Sequence, residues 1–167
     1  LAATQGGDCA VSITCADGLY WNQASLIDTC FYCVHVVDHS PGYYEAGVSD
    51  TFFMLTQCAC DESYSVFRYV GDPTLAGTSS PDHPWDRVFS SLLYAAEIDA
   101  ADDAIEMLMV SPDFLDTEAL YIGNTGFEFW RSLDAGCSWF KLAFPCEPRP
   151  TISAATVVDK ETVVAGL

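Results

Sequence analysis

Short apolar runs, rich in β-branched and aromatic residues, recur along the chain between clusters of Gly, Pro, Ser and Asp. Their length and composition predict strands. These runs occupy residues 34–37, 51–56, 64–68 and 119–122. Apolar residues at helical spacing are scarce. The best such stretch, 90–109, ends in an apolar run at 105–110 that leads directly into Ser111 and Pro112 and predicts another strand, which leaves one helical turn near 92–96. We therefore predict an all-β fold.

Two stretches of the chain repeat one order of features. Each begins with an apolar strand, Ser-Pro and an acidic turn. Each then continues with a second apolar strand, a strand that ends in Arg, and a Trp followed two places later by a basic residue. The repeated residues are Ser40 and Ser111, Arg68 and Arg131, and Trp85 and Trp139. Residues 21–26 resemble the close of this pattern, and residues 161–166 match residues 118–123 near its opening. The sequence therefore predicts tandem repeats, with partial copies on both sides of two full ones.

The repeats divide the chain into four units. Residues 1–29 form the end of a preceding unit with a cysteine-rich start, and residues 30–93 form a full unit with an inserted loop at 71–84. Residues 94–150 form the second full unit, and residues 151–167 begin a further one. About four strands in a unit of roughly 40–50 residues is typical of β-propeller blades. We therefore predict two complete four-stranded antiparallel blades and two partial ones. An ordinary β-sandwich whose strands resemble one another by chance is the alternative.

One motif lies between the predicted third and fourth strands of the second full unit. It reads Ser132-Leu-Asp134-Ala-Gly136-Cys-Ser138-Trp139. A short Asp side chain can accept hydrogen bonds from neighbouring backbone N–H groups and hold a turn. Glycine allows a positive φ at such a turn, and the Trp can anchor the next strand in the core.

This motif resembles the Asp-box, or BNR repeat, with Ser138 in the place of the usual Thr. The likeness is best over residues 104–142, and the first full unit keeps only the region of Trp85. The resemblance implies a β-propeller, closest in style to the tandem-repeat propellers of bacterial secreted and surface-layer proteins. It also implies that the box is a structural turn, remote from any active site.

The net charge of the chain limits the classes of molecule that it could bind. The chain carries 24 acidic and 6 basic residues, a formal net charge of −18. This excess of acidic residues argues against nucleic acid as a partner, because binding a polyanion needs clustered Lys and Arg. It keeps the surface hydrated and attracts cations, so the acidic turns predict a solvated surface and no certain cofactor, with a calcium site as the alternative. The candidate calcium ligands are Asp99, Asp102, Asp103, Asp113, Asp116 and Glu118. Their spacing matches no standard calcium loop.

Eight cysteines in 167 residues indicate disulfides and an oxidising compartment. The candidate disulfide cysteines are Cys9, Cys15, Cys30, Cys33, Cys58, Cys60, Cys137 and Cys146. Cys137 and Cys146 bracket one predicted strand and are candidates to pair, as are the nearby Cys9 and Cys15. The sequence does not choose among the pairings. The alternative is a zinc site, since Cys30 and Cys33 have the spacing of half of one.

We predict that the chain is not an enzyme. A sialidase of this family needs a cluster of arginines to hold the carboxylate of its substrate. The chain has four arginines, and Arg68 and Arg131 occupy equivalent repeat positions. No run of 18 apolar residues is present, so no membrane span is predicted.

The predicted function is therefore structural. We expect a secreted, extracellular component of a surface layer, sheath or filament. Its incomplete propeller would be completed by further blades of the same protein or by self-association. A module that binds a peptide or a glycan on a propeller face, including a glycan of the cell wall, is the first alternative. A sialidase-like glycosidase with its catalytic blades outside this segment is the second.

Overall fold

The described residues lie mainly in antiparallel β-sheets. The computed structural model describes residues 2–4, 9–13, 22–27, 31–42, 50–58, 62–71, 85–91, 104–126, 128–143 and 151–166. The first sheet has the order β1-β2-β3. Its strands are β1 (Ala2–Thr4), β2 (Cys9–Ile13) and β3 (Asn22–Ile27).

The second sheet has four strands that follow one another in sequence and in space, in the order β4-β5-β6-β7. They are β4 (Phe31–His39), β5 (Asp50–Cys58), β6 (Tyr64–Gly71) and β7 (Asp86–Ser90). Every neighbouring pair is antiparallel. This up-and-down order is expected because each apolar run is followed by turn residues and then by the next run.

The third sheet repeats this arrangement, with the order β8-β9-β10-β11. Its strands are β8 (Ile105–Val110), β9 (Leu120–Asn124), β10 (Phe129–Ser132) and the short β11 (Phe140–Lys141). One turn of helix, α1 (Phe114–Thr117), occupies the connection from β8 to β9. The fourth sheet pairs β12 (Ala154–Asp159) with β13 (Thr162–Gly166).

The all-β prediction and the four-stranded antiparallel units are confirmed. The strand at 105–110 is also confirmed, whereas α1 stands where an acidic turn was expected. The single helical turn predicted near 92–96 lies outside the described residues. The residues just before the predicted unit boundaries at 30, 94 and 151 also lie outside the described residues. The division of the chain into propeller blades therefore stays a prediction.

The core lies between the sheets. One apolar cluster joins the second sheet to the third and includes Phe53 of β5, Phe89 of β7, and Leu108, Ile122 and Trp130 of the third sheet. Burying side chains of this size stabilises the fold by roughly 1.5–3 kcal/mol each. The packing of the second sheet on the third therefore follows from the two apolar faces.

The alternation of side chains along each strand sends neighbouring residues to opposite sheets. In β5, Phe53 packs toward the third sheet, while Met54 packs with Phe67 on the other face. In β9, Ile122 packs toward the second sheet, and the hydroxyl of Tyr121 reaches the turn of the fourth sheet. The second and third sheets are thus apolar on both faces. The third sheet packs between the second and the fourth.

No helix within the described ranges has the length and apolar character needed to cross a membrane.

Candidate functional site

The box turn, defined here as residues 132–139, joins β10 to β11. Ser132 is the last residue of β10 and is fully buried. Its hydroxyl donates to Asp134 Oδ1 at 2.7 Å and accepts from the N–H of Gly136 at 2.8 Å and the N–H of Asp134 at 3.3 Å. A single hydroxyl therefore satisfies two backbone donors of the turn, and this is why a small buried hydroxyl residue is needed there.

Asp134 closes the turn from the other side. Its Oδ1 accepts from the N–H of Ser138 at 2.8 Å, and its Oδ2 accepts from the hydroxyl of Ser138 at 2.6 Å. Partial burial acts to raise the pKa of Asp134, but the hydrogen bonds from Ser138 and Ser132 outweigh it and lower that pKa below its ordinary value. The carboxylate is thus held in its charged form by the turn that it stabilises.

The backbone of the turn is left-handed at two successive residues. Ala135 has φ 52° and Gly136 has φ +94°. A Cβ at Gly136 would lie 2.8 Å from Cγ2 of Val88, a residue of β7. Glycine is therefore required at Gly136 both by its φ and by the close approach of the second sheet.

Trp139 fastens the turn to the second sheet. It is buried, and its ring meets that of Phe89 edge to face at 5.4 Å between centroids. Its Nε1 donates to the carbonyl of Val88 at 2.9 Å and to that of Gly136 at 3.0 Å. The indole N–H thus bonds both to β7 and to the backbone of the box turn. The motif therefore contributes to the contact between two sheets as well as forming a turn.

The two arginines at equivalent repeat positions make equivalent links. Arg68 of β6 donates from Nη1 to the carbonyl of Ala135 in the box turn at 3.0 Å. Arg131 of β10 donates from Nη1 to the carbonyl of Lys160 in the β12–β13 turn at 3.1 Å. Each arginine therefore ties the third strand of its sheet to a turn of the following sheet. The ion pair of Arg68 with Asp86, at 3.4 Å, adds little because the side chain of Asp86 is 61% exposed.

The Ser-Pro turns form a second set of matching positions. Ser40 and Ser111 are both buried, and each N–H bonds a carbonyl near the start of the next strand, Thr51 at 2.8 Å and Ala119 at 3.0 Å. The hydroxyl of Ser40 accepts from the N–H of Thr51 at 3.1 Å, while that of Ser111 donates to Asp113 Oδ1. The repeat of Ser-Pro therefore has a common structural cause in the entry to the second strand.

Three of the candidate calcium ligands, Asp113, Asp116 and Glu118, lie in the described residues. Asp113 Oδ1 accepts from the hydroxyl of Thr117 at 3.2 Å, and its Oδ2 accepts from the N–H of Lys160 at 3.3 Å. These bonds, with the bond from Ser111 as the largest cause, lower the pKa of Asp113. Within the described ranges no group of three or more His, Cys, Asp or Glu could hold a metal ion, so Asp113, Asp116 and Glu118 do not form one. Asp99, Asp102 and Asp103 lie outside those ranges.

An ion pair between the buried Glu128 and the more exposed Lys141 stabilises the hairpin between β9 and β10 and was not predicted. Glu128 Oε1 accepts from Lys141 Nζ at 2.6 Å, and its Oε2 accepts from Asn124 Nδ2 at 3.1 Å. Asn124 Oδ1 in turn accepts from the N–H of Glu128 at 2.8 Å. Lys141 also lies over the ring of Trp130 at 5.4 Å. The sequence signal was the Asn and the Glu at the two ends of one hairpin turn, but the partner Lys141 comes from a strand that only the sheet order places nearby.

The cysteines differ in part from the prediction. Cys58 is disulfide-bonded, whereas Cys33 and Cys137 are free thiols. Cys33 and Cys137 are therefore not in disulfides, so the suggested pair of Cys137 with Cys146 is not formed. Cys137 is exposed in the box turn, and its Sγ lies 3.7 Å from Arg68 Nη1. Cys9 lies in β2, and the remaining candidates, Cys15, Cys30, Cys60 and Cys146, lie outside the described residues.

The free thiol of Cys33 lies on the side of the second sheet that faces the third. It is opposite Gln57 in register, and Gln57 is opposite Tyr64. Tyr64 stacks at a tilt on His35, with 5.7 Å between ring centroids. Burial, followed by the nearby charges of Glu106 and Glu62, raises the pKa of Tyr64. A zinc site built on Cys33 and Cys58 does not fit, because the sulfur of Cys58 is in a disulfide.

Comparison with known proteins adds no further assignment. No protein-family model, curated protein or solved structure matches this chain. The resemblance to the Asp-box family therefore rests on the motif itself.

Proposed function

We propose that this protein is a non-catalytic structural component of an extracellular assembly, such as a surface layer, sheath or filament. In this proposal the four sheets are successive β-propeller blades, the two four-stranded ones complete and the outer two partial. The packing of antiparallel sheets supports the blade interpretation, because the third sheet buries one face on the second sheet and the other on the fourth.

The observation that carries the proposal is that the polar residues of the box turn and the two repeated arginines all bond within the protein. Ser132, Asp134 and Ser138 bond one another within the box turn. Arg68 and Arg131 bond backbone carbonyls of the following sheet. Arginines are what a sialidase-like site would need to hold the carboxylate of its substrate. Here Arg68 and Arg131 instead link one sheet to the next. A rigid series of sheets is what a scaffold requires.

The cysteine chemistry supports an extracellular setting. Cys58 is disulfide-bonded, and disulfides persist in oxidising compartments. The net charge of −18 would keep such a surface hydrated. Disulfides are rare in the reducing cytoplasm.

Electron microscopy of native cells, labelled with an antibody raised against the purified chain, tests this proposal. We expect gold label on a regular array, sheath or filament at the cell surface. Cells treated with pre-immune antibody provide the control. Label confined to the cytoplasm, or protein found only as dispersed molecules in the medium, would overturn the proposal.

A further inference from the structure

We propose that Lys141 and Asn124 join in an intramolecular isopeptide bond, with Glu128 as the acid–base catalyst of its formation. The bond links the amine of Lys141 to the side-chain carbonyl carbon of Asn124, and its formation releases one molecule of ammonia. The third sheet is then a self-modifying unit in which β9 and β11 are covalently joined across β10. This inference rests on the geometry of the three side chains and does not depend on the proposed structural function.

The sheet register places the three side chains on one face of the third sheet. Lys141 of β11 is opposite Trp130 of β10. Glu128 precedes Trp130 by two residues, the spacing that returns a side chain to the same face of a strand. Asn124 is the last residue of β9, and its N–H donates to the carbonyl of Glu128 across the hairpin turn at 3.0 Å. The amine and the amide therefore meet at Glu128 from the two strands that flank β10.

The amine of Lys141 is held at the catalyst. Its Nζ lies 2.6 Å from Glu128 Oε1 and 5.4 Å from the centroid of the Trp130 ring. The Lys141 side chain is 31% exposed as a whole, but its amine end is directed toward Glu128, which is 7% exposed, and toward the fully buried Trp130. A lysine amine becomes a nucleophile only after it loses its extra proton. The carboxylate at 2.6 Å is positioned to take that proton.

The amide of Asn124 is held in the orientation that the reaction needs. Its Oδ1 accepts from the N–H of Glu128 at 2.8 Å, and its Nδ2 donates to Glu128 Oε2 at 3.1 Å. The backbone N–H stabilises the negative charge that develops on Oδ1 when Cγ is attacked. Asn124 is 0% exposed, so water has little access to compete with the amine.

The two oxygens of one carboxylate thus contact the two reacting groups. An ion pair alone would need only Lys141 and Glu128. Here Oε1 contacts the nitrogen that attacks, and Oε2 contacts the nitrogen that must leave. A carboxyl group in this position can take a proton from the first nitrogen and give one to the second.

The reaction balances and needs no oxidant. The Glu128 carboxylate takes a proton from the Lys141 ammonium, and the neutral amine attacks Cγ of Asn124 to form a new C–N bond. The protonated Glu128 then gives its proton to Nδ2, the bond between Cγ and Nδ2 breaks, and ammonia leaves. The extra proton on Nζ passes to Glu128 and on to the ammonia, which departs as ammonium. Glu128 ends as the carboxylate.

Intact-mass spectrometry of the purified 167-residue chain, reduced and denatured, tests the bond. We expect a mass lower than that of the sequence by one ammonia per chain. Proteolysis should then give one branched peptide that contains both Asn124 and Lys141. The matched variant is Lys141→Arg, which keeps a positive charge beside Glu128 but lacks the primary amine. It should keep the full mass of its sequence and give no branched peptide.

Glu128→Gln tests the catalyst. An amide of the same size cannot carry the proton, so formation of the bond should slow by about 10²–10⁴-fold. The fraction of chains that have lost ammonia, followed over time after synthesis, measures this rate. Thermal unfolding shows whether each variant is folded. Formation at the wild-type rate in folded Glu128→Gln would overturn the role of Glu128.

Two further outcomes would overturn the bond itself, whether or not Glu128→Gln folds. The first is a folded wild-type chain that has the full mass of its sequence. The second is a loss of ammonia that persists in Lys141→Arg, because this loss would then come from cyclisation of an asparagine with its own backbone.

Discussion

At the scale of single residues, the box turn depends on hydrogen bonds to charged Asp134. The hydroxyl and the N–H of Ser138 and the hydroxyl of Ser132 all donate to its carboxylate. The folded state therefore lowers the pKa of Asp134 from the ordinary 3.8, and that of Asp113 likewise. A lowered pKa contributes stability that is fully present above 3.8 and is lost as the pH falls through the folded value. Both residues thus make the fold sensitive to acid.

Replacing Asp134 by Asn should remove part of this acid sensitivity. At neutral pH the variant should be about 1–2 kcal/mol less stable than the wild type, because the amide nitrogen cannot accept the bond from Ser138. The difference should shrink as the pH falls below the ordinary value of 3.8, where the unfolded wild-type chain begins to bind a proton at Asp134, and should go on shrinking until the folded carboxylate is protonated as well. Urea unfolding at several pH values measures it. Asp116→Asn, at an exposed residue of α1, is the matched control and should show no such pH dependence. A constant difference through the acid range would contradict this account.

Gly136 is the other residue on which the turn depends, and substitution by Ala should destabilise the protein by about 1–3 kcal/mol. Two causes act together, the φ of +94° and the 2.8 Å approach of a Cβ to Val88. Thermal unfolding of the double variant Gly136→Ala with Val88→Ala separates them, because it relieves the clash and leaves the strained φ. In Gly166→Ala the nearest atom would be at 3.6 Å, an ordinary contact, so little change is expected. Equal losses at Gly136 and Gly166 would refute the argument.

At the scale of elements, the sheets are linked by bonds from side chains to backbone carbonyls. Arg68 joins β6 to the box turn, Trp139 joins that turn to β7, and Arg131 joins β10 to the β12–β13 turn. Every residue of a turn has a backbone carbonyl, whatever its side chain. This kind of link can therefore repeat in units whose turns differ in sequence, as they do here.

The link from Arg68 can be separated from its ion pair. Arg68→Ala should lower the free energy of unfolding by about 1–2 kcal/mol, because the carbonyl of Ala135 loses its donor and the arginine stem loses its packing. Asp86→Ala should cost less than about 0.5 kcal/mol, since it removes only an exposed ion pair. Chemical denaturation of both variants compares them. A larger loss in Asp86→Ala than in Arg68→Ala would show that the ion pair is the main contribution.

At the scale of the whole molecule, charge opposes folding and association. The 24 acidic residues repel one another against only 6 basic ones, and salt screens this repulsion over about 8–10 Å at moderate ionic strength. The ion pairs that salt would weaken are few among the described residues, those of Arg68 and Lys141. Screening should therefore stabilise the protein.

The melting temperature should accordingly rise with sodium chloride concentration. Calcium chloride at matched ionic strength tests the predicted calcium turns in the same experiment. An equal rise in both salts indicates screening alone. A further rise with calcium that Asp102→Asn abolishes, and that Asp116→Asn does not, would indicate a site in the turn that contains Asp99, Asp102 and Asp103. A fall in melting temperature with sodium chloride would contradict the prediction of net repulsion.

Local patterns in the sequence were enough to predict the strands and the box turn. The apolar runs, the turn residues and the spacing of Ser132, Asp134, Gly136 and Ser138 act over a few residues, so their effects can be inferred without the fold. The four-stranded units followed because the same order of runs occurs twice. The short helix α1 was missed since its four residues are too few for helical periodicity to show.

The sequence alone was enough to establish the β class, the repeated order of strands and the chemistry of the box. Which distant groups meet depends on the tertiary structure. Lys141 reaches Glu128, Arg68 reaches Ala135, and Val88 closes on Gly136, because the order of strands and the packing of sheets bring them together across many residues. It also decided that Cys33 and Cys137 are free thiols, since pairing depends on three-dimensional distance and sequence spacing does not set that distance.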